Sequence, residues 1–375
     1  MKPPSLELVR YWLRRYHHWT PLGAFVAGFL FDIVSLGRID SWDTIAQQVL
    51  YLLICSALVG KELVDSLSVI GEVGAAEDLN RAAAFFQRHR FTIAHFFLGS
   101  LLSSFTLFFF KSASALSSLV FVVVLSGLLV LNELTPMEKR PVLVRLFLLY
   151  LCYTCFLIYL VPMILGRLGL FPFLLALSAA FGVGVAHYYA LRRWLPAGPA
   201  TGLRNFILPN GVIGGAFLIL YLLELIPPIP LSAQYLGIFH DVRKTDGRYE
   251  LVSQRPWWRF WHRGDQLYFQ RPGDKLFVFA RIFSPTRFHD TVKIRWLKHE
   301  EKHGYVGQDA IPIEIAGGRT EGFRGYAFKN NFSPGHWRVK IETVDGREIG
   351  RIGFEVRAAA IGESTAVPLE RIEIQ

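Results

Sequence analysis

The sequence predicts an α-helical membrane bundle of about seven transmembrane helices (residues 21–230), followed by a C-terminal all-β antiparallel sandwich of the immunoglobulin-like kind (231–375). Three observations predict it. From Pro21 to Pro230 the chain is a series of long apolar runs, from Leu231 onward apolar and polar residues alternate, and basic residues gather in every second connection between the runs. With 52% apolar and 19% charged residues, the composition is that of a chain with membrane spans rather than of two or three soluble domains.

Residues 1–20 form a cytoplasmic segment with Lys2, Arg10, Arg14 and Arg15. About 20 mainly apolar residues cross a bilayer core. Seven runs approach that length: Pro21 to Gly37, Thr44 to Val59, Phe91 to Phe110, Leu116 to Leu131, Leu143 to Leu165, Leu170 to Leu191 and Phe206 to Ile226. The first, second and fourth are short, so each either tilts little or is re-entrant. Between the second and third, Lys61 to Arg90 repeats Leu63, Leu67, Ile70, Leu79, Ala83 and Phe86 at helical spacing. An amphipathic helix pair broken at Gly71 and Gly74, or a solvated connector helix, fits that spacing. Pro162 and Pro209-Asn210-Gly211 interrupt helical hydrogen bonding, and the Gly211/Gly215 spacing reads as helix packing.

Fourteen basic residues lie in the N-terminal and even-numbered connections, among them Lys61, Arg90, Arg145 and Arg192, against Arg38, Lys111 and Arg167 in the others. This asymmetry predicts a cytoplasmic N-terminus and a C-terminal domain on the far side. The net charge of +10 thereby reflects topology and argues against a nucleic-acid partner. The first run is read as a span and not a cleaved signal, because no small-x-small site separates Leu36 from Arg38. Cys55, Cys152 and Cys155 all fall inside spans, which leaves the sandwich without a disulfide.

Pro227-Pro228-Ile229-Pro230 makes a stiff, extended exit from the last span. Strand-like alternation follows at Lys275 to Phe283, Thr291 to Lys298, Ile311 to Ile315, Arg324 to Phe328, His336 to Thr343 and Glu348 to Val356, with Asp345-Gly346 as a hairpin turn. The run Gly317-Gly318-Arg319-Thr320-Glu321-Gly322-Phe323-Arg324-Gly325-Tyr326, with Lys329-Asn330-Asn331-Phe332 and Gly335-His336-Trp337-Arg338-Val339, resembles the C-terminal module of a bacterial membrane-protein family, domain of unknown function 2914. The resemblance covers roughly the last hundred residues. It implies an inner-membrane protein with a periplasmic sandwich, and it implies no activity.

Several groups are candidates for chemistry. His299-Glu300-Glu301-Lys302-His303 matches the H-E-x-x-H of zinc proteases, but it follows an alternating strand and stops at Gly304, so it reads as a solvated hairpin loop. Cys152 and Cys155 share a helix face at mid-span and read as packing residues. Asp32, His95, Glu133, His187 and Glu224 are polar residues within spans, where a charge at the bilayer centre costs about 2.5–3.5 kcal/mol. They form either an ion- or proton-handling path, with Asp32 and Glu224 as an outer pair, or groups that reach the headgroups from span ends. Trp257, Trp258 and Trp261 read as a membrane-interface belt, a glycan platform or sandwich core. Arg319, Arg324 and Lys329 surround the glycine-rich turn and suit an anionic lipid or glycan, while Gly317 and Gly318 supply positive φ. No nucleophile elbow, P-loop, dinucleotide fingerprint or cofactor motif occurs. The expected function is an envelope binding or scaffold protein whose partners are the bilayer and an envelope protein, anionic lipid or glycan, with an ion- or proton-coupled transporter or channel as the alternative and an enzyme last.

Overall fold

The computed structural model describes residues 37–67, 81–114, 116–134, 141–195, 199–254, 258, 262–271, 273–318, 322–358 and 371–374. Helices come first: α1 (Trp42–Leu67), α2 (Arg81–Ser112), α3 (Leu116–Leu134), α4 (Val142–Leu165), α5 (Leu170–Leu191) and α6 (Pro199–Leu222). Eleven strands follow: β1 (Ser232–Phe239), β2 (Asp241–Thr245), β3 (Arg248–Ser253), β4 (Leu267–Gln270), β5 (Leu276–Phe283), β6 (His289–Glu300), β7 (Gly304–Ala316), β8 (Phe323–Lys329), β9 (Gly335–Thr343), β10 (Glu348–Ala358) and β11 (Arg371–Ile374). Two compact units divide the chain. The helical unit takes residues up to Phe110, Val120–Leu160 and Leu174–Leu223; the β unit takes Lys111–Leu119, Val161–Phe173 and Glu224 onward.

Among the described residues four helices contain stretches long and apolar enough to cross a membrane: Ile93–Ser112, Val142–Leu165, Leu170–Leu191 and Arg204–Leu222. The expected run Pro21 to Leu36 lies outside the described residues. The run Thr44 to Val59 does not stop at Lys61, because α1 continues through Lys61, Glu62 and Asp65 to Leu67, so the first part of the expected amphipathic pair belongs to the same helix. α3 is 19 residues long, and within it Ser118–Asn132 is a continuous apolar stretch.

In the helical unit α4 is buried over 67% of its apolar stretch, against 28% for α5 and 33% for α6, which makes α4 a central helix and the other two peripheral. Leu174, Leu175 and Phe181 of α5, and Val212 and Ile219 of α6, remain exposed. On α1 the buried positions Gln48, Leu52, Cys55, Val59 and Leu63 recur every three or four residues and form one stripe. Both proline-containing helices run on without a break. After Pro209 the Asn210 side-chain amide donates to the Phe206 carbonyl at 2.9 Å, one residue beyond the Asn205 carbonyl that Pro209, lacking an N–H, leaves without its helical donor. The small residue that admits Asn210 is Gly184, where a Cβ would lie 2.0 Å from Asn210 Nδ2. Gly211 and Gly215, expected to pack helices, meet nothing within 4 Å among the described residues.

In the β unit the strand orders are β1-β5-β8, β4-β10-β9-β6-β7 and β11-β3-β2. Alternation explains the layering. On β5, Leu276, Val278, Ala280 and Ile282 join Val292, Ile294, Trp296, Trp337, Val339 and Phe354 of the five-stranded sheet in one core. Phe279, on its other face, packs with Tyr235, Phe239, Tyr249 and Leu251 in a second core, closed by the β2–β3 hairpin. The unit is therefore three-layered, and it is mixed rather than all antiparallel, because β4 runs parallel to β10. All six expected strands are present, and Asp345-Gly346 joins β9 to β10 with Gly346 at φ 90°.

Two segments that connect helices are stitched into this unit. His289 N donates to the Gly166 carbonyl at 2.8 Å, Leu168 N donates to Asp290 Oδ2 at 2.8 Å, and Ser114 Oγ donates to the Glu348 carbonyl at 3.1 Å. Gly318 and Gly322 have φ of 92° and 83°, as the glycine-rich turn requires. Gly317 serves close approach instead, since a Cβ there would lie 1.6 Å from the Pro285 carbonyl oxygen.

Candidate functional site

Asp32, Trp257, Trp261 and Arg319 lie outside the described residues, as does the side chain of Glu133. Trp258 is exposed, which removes it from the core reading. His95 is half-buried on α2. Glu224 is not in a span: it lies two residues past the end of α6, exposed, at φ 55°. Arg324 and Lys329 are five positions apart on β8 and so take opposite faces, which prevents them from forming one basic site. Lys329 is ion-paired with Asp309, and the Arg324 guanidinium lies 5.8 Å from the Tyr249 ring. The H-E-x-x-H residues span the β6–β7 hairpin, with Glu300 opposite Gly304 and His303 Nδ1 3.5 Å from Glu300, so the two histidines do not share a helix face.

The helical unit holds a set of polar rungs between α1 and α4. Gln48 accepts a hydrogen bond from the Tyr159 hydroxyl, Ser56 Oγ lies 2.9 Å from the Tyr153 hydroxyl, and Glu62 is ion-paired with Arg145. Partner numbers fall on one helix as they rise on the other, so the pairs mark an antiparallel contact about 21 Å long at 1.5 Å per residue. His187 of α5 joins the middle rung, with Nε2 3.1 Å from the Ser56 carbonyl and Nδ1 3.0 Å from the Tyr150 hydroxyl. A carbonyl only accepts, so Nε2 carries the proton and Tyr150 donates to Nδ1. Gly60 gives the ring room, since a Cβ there would stand 2.7 Å from His187 Nε2. Between the Gln48–Tyr159 and Ser56–Tyr153 rungs lie buried Leu52, Cys55 and Cys155, an apolar layer that interrupts the polar series.

Among the described residues of the β unit, two adjoining clefts flank the turn between Arg271 and Lys275. One cleft, of about 480 Å³, is lined by Gln270, Arg271, Asp274, Lys275 and Asn330. The other, of about 410 Å³, is lined by His240, Arg243, Gln254, Asp274 and Phe277, with Arg271 and Lys275 shared between them. Parallel pairing of β4 with the end of β10 carries the chain into the turn, and Asp274 Oδ2 holds it closed by accepting from Arg271 N at 2.9 Å. His240 lies in the wall, stacked on Tyr268 with ring centroids 4.0 Å apart. Its Nε2 is 3.7 Å from Asp265 and its Nδ1 3.8 Å from Asp274. Burial also pushes the Tyr268 phenol up, so it stays neutral and donates to the Lys275 carbonyl at 3.1 Å. None of these residues stood out in the sequence.

Burial lowers the His240 imidazole to about 4, and Arg271 adds to that shift; Asp274 and Gln254 oppose it but do not prevail. The sign follows from linkage. Between pH 6.5 and 4 the unfolded chain binds a proton that the folded chain refuses, so this contribution is complete above pH 6.5 and is lost as the pH falls towards 4. The full loss is about 3 kcal/mol. Thermal unfolding of the full-length protein in detergent from pH 7 to 5 should show a falling midpoint, with a shallower fall in His240→Gln. Parallel curves for the two proteins would show that His240 does not titrate on unfolding.

Residues 289–356, from the start of β6 almost to the end of β10, match the family described as Protein of unknown function (DUF2914). No curated protein matches the chain. Among solved structures, the chain has a TM-score of 0.22 and 10% identity to an alkylpurine DNA glycosylase, AlkC, of Pseudomonas fluorescens, bound to DNA containing an abasic site analog, over 86% of this chain and 100% of that one.

Proposed function

We propose that the protein is a membrane-anchored binding or scaffold protein of the bacterial inner membrane, whose immunoglobulin-like β unit lies in the periplasm and receives a partner in the cleft around Arg271–Lys275. The observation that carries this reading is the position of the cleft. It lies at the end of the β unit opposite the helix-connecting segments 111–119 and 161–173. On β10, Glu348 meets Ser114 while Ala358 lines the cleft.

Two further features support it. The segments around Lys111 and Arg167, the connections poor in basic residues, belong to the same unit as the C-terminal strands, as a shared outer side requires. The polar rungs of the helical unit are hydrogen-bonded within the chain and separated by an apolar layer, which suits an anchor better than an ion path. A transporter remains the second reading, favoured by the hydrogen-bonded Ser56–His187–Tyr150 series.

A photo-crosslinking amino acid at Lys275 of the full-length protein in native membranes tests the binding reading, with Gln308, exposed on β7, as the control position. Adducts at Lys275 that are absent at Gln308 and lost on Arg271→Ala are the expected result. Equal labelling at both positions, or none at either, would overturn it.

A further inference from the structure

We infer that the cleft takes a carboxylated carbohydrate chain, an assignment that rests on reading the cleft as the binding surface. Phe277 lines the cleft and also begins an aromatic strip that leads away from it. Its ring lies 5.7 Å from Phe328 and 6.2 Å from Tyr326. Phe277 and Phe328 are register partners on β5 and β8, and Tyr326, two residues along, takes the same face. Tyr326 and Phe328 are 40% and 45% exposed, beside the edge of the β2–β3 hairpin, whose Tyr249 ring lies 6.2 Å from that of Tyr326. Lys275 stands where strip and cleft meet, with Nζ 5.2 Å from the Phe328 ring.

Each part of this surface asks for a different part of one ligand. Exposed rings with electron-rich faces suit the C–H face of a sugar. The walls alternate donors and acceptors, with Gln254, Gln270 and Asn330 beside Asp241 and Asp274, which suits hydroxyl groups that both give and accept. Arg271 and Lys275 form no ion pair among the described residues and are free to meet a carboxylate. A compact dianion such as a phosphate group is disfavoured, because Asp274 lies in the same turn as Arg271 and Lys275 and would repel it, whereas the carboxylates of a sugar chain are spaced one per ring. Openings on both sides of the turn, continued by the strip, suit a chain passing across rather than a small molecule enclosed.

The test titrates full-length protein in detergent with three probes: a hexamer of β-1,4-linked mannuronic acid, the neutral β-1,4-mannohexaose, and hexaglutamate. Calorimetry should show the acidic hexamer binding at least tenfold more tightly than the neutral one, and hexaglutamate not binding. Arg271→Gln with Lys275→Gln should erase the difference between the two sugars. Phe328→Ser or Tyr326→Ser should weaken both sugars at least fivefold, measured at a temperature well below each variant's unfolding midpoint so that lost packing against Phe277 does not enter. Hexaglutamate binding as tightly as the acidic sugar, with Phe328→Ser silent, would make the cleft a peptide or polyanion site and overturn the assignment. No sugar binding would overturn it too. Lys275 crosslinking reports any occupant, so adducts without sugar binding sink only the carbohydrate assignment, whereas neither result sinks the binding reading as well.

Discussion

Replacing Arg145 by methionine should destabilise the helical unit by about 3–5 kcal/mol, the cost of leaving a buried charge without its partner. Arg145 and Glu62 are 3% and 11% exposed in their side chains, and the guanidinium also lies 4.7 Å from the Phe91 ring. Methionine keeps much of the length and packing but removes the positive charge, so the Glu62 carboxylate must either stay charged in an apolar site or take up a proton. The double variant Glu62→Met with Arg145→Met removes both charges and should recover most of the loss. Size-exclusion profiles of detergent-solubilised protein after graded heating would measure this. A single variant as stable as the parent would show that water reaches the pair.

Trp337→Ala should cost the β unit a comparable amount, about 3–5 kcal/mol, through the cavity left by the largest kind of side chain. Trp337 is 2% exposed, stands opposite Phe354 in the β9–β10 register, and donates its indole N–H to the Ser333 carbonyl at 2.9 Å. Its removal takes packing from one side of the shared core and leaves that carbonyl short of a donor. Limited proteolysis of the full-length variant should produce new cuts between 289 and 358 while the helices stay protected. Trp337→Phe, which retains most of the volume, should lie between the two. An alanine variant with the parent's resistance would mean that the core collapses around the gap at little cost.

Strands β5 to β10 were legible because each presents one face to the shared core, and that demand writes period-two alternation into residues 276–356. β2 and β3 were missed, although Asp246-Gly247 joins them by the same turn chemistry as Asp345-Gly346, with φ of 49° and 78°. Their outward residues, Arg243, Lys244 and Arg248, hide the alternation. In the helices the error came from charge. Lys61 and Glu62 read as the start of a separate amphipathic segment and Arg145 as a topology-setting charge, yet Glu62 and Arg145 are each other's buried partners inside α1 and α4. The cleft was not legible because no local spacing encodes it. His240, Gln254, Arg271 and Asn330 come from four separate connections, brought together by the parallel β4–β10 pairing and the Arg271–Lys275 turn.

The β unit is discontinuous in sequence, and that has a bearing on how the protein is made. Segments 111–119 and 161–173 leave the ribosome before any strand does, each tethered at both ends to a helix. When β6 and β10 emerge, Gly166, Leu168 and Ser114 are the groups their ends must find. Completion of the last domain therefore inspects the first. A chain that presents these segments wrongly offers its strands no docking groups, and its unfinished β unit should be more open to proteolysis than the parent's.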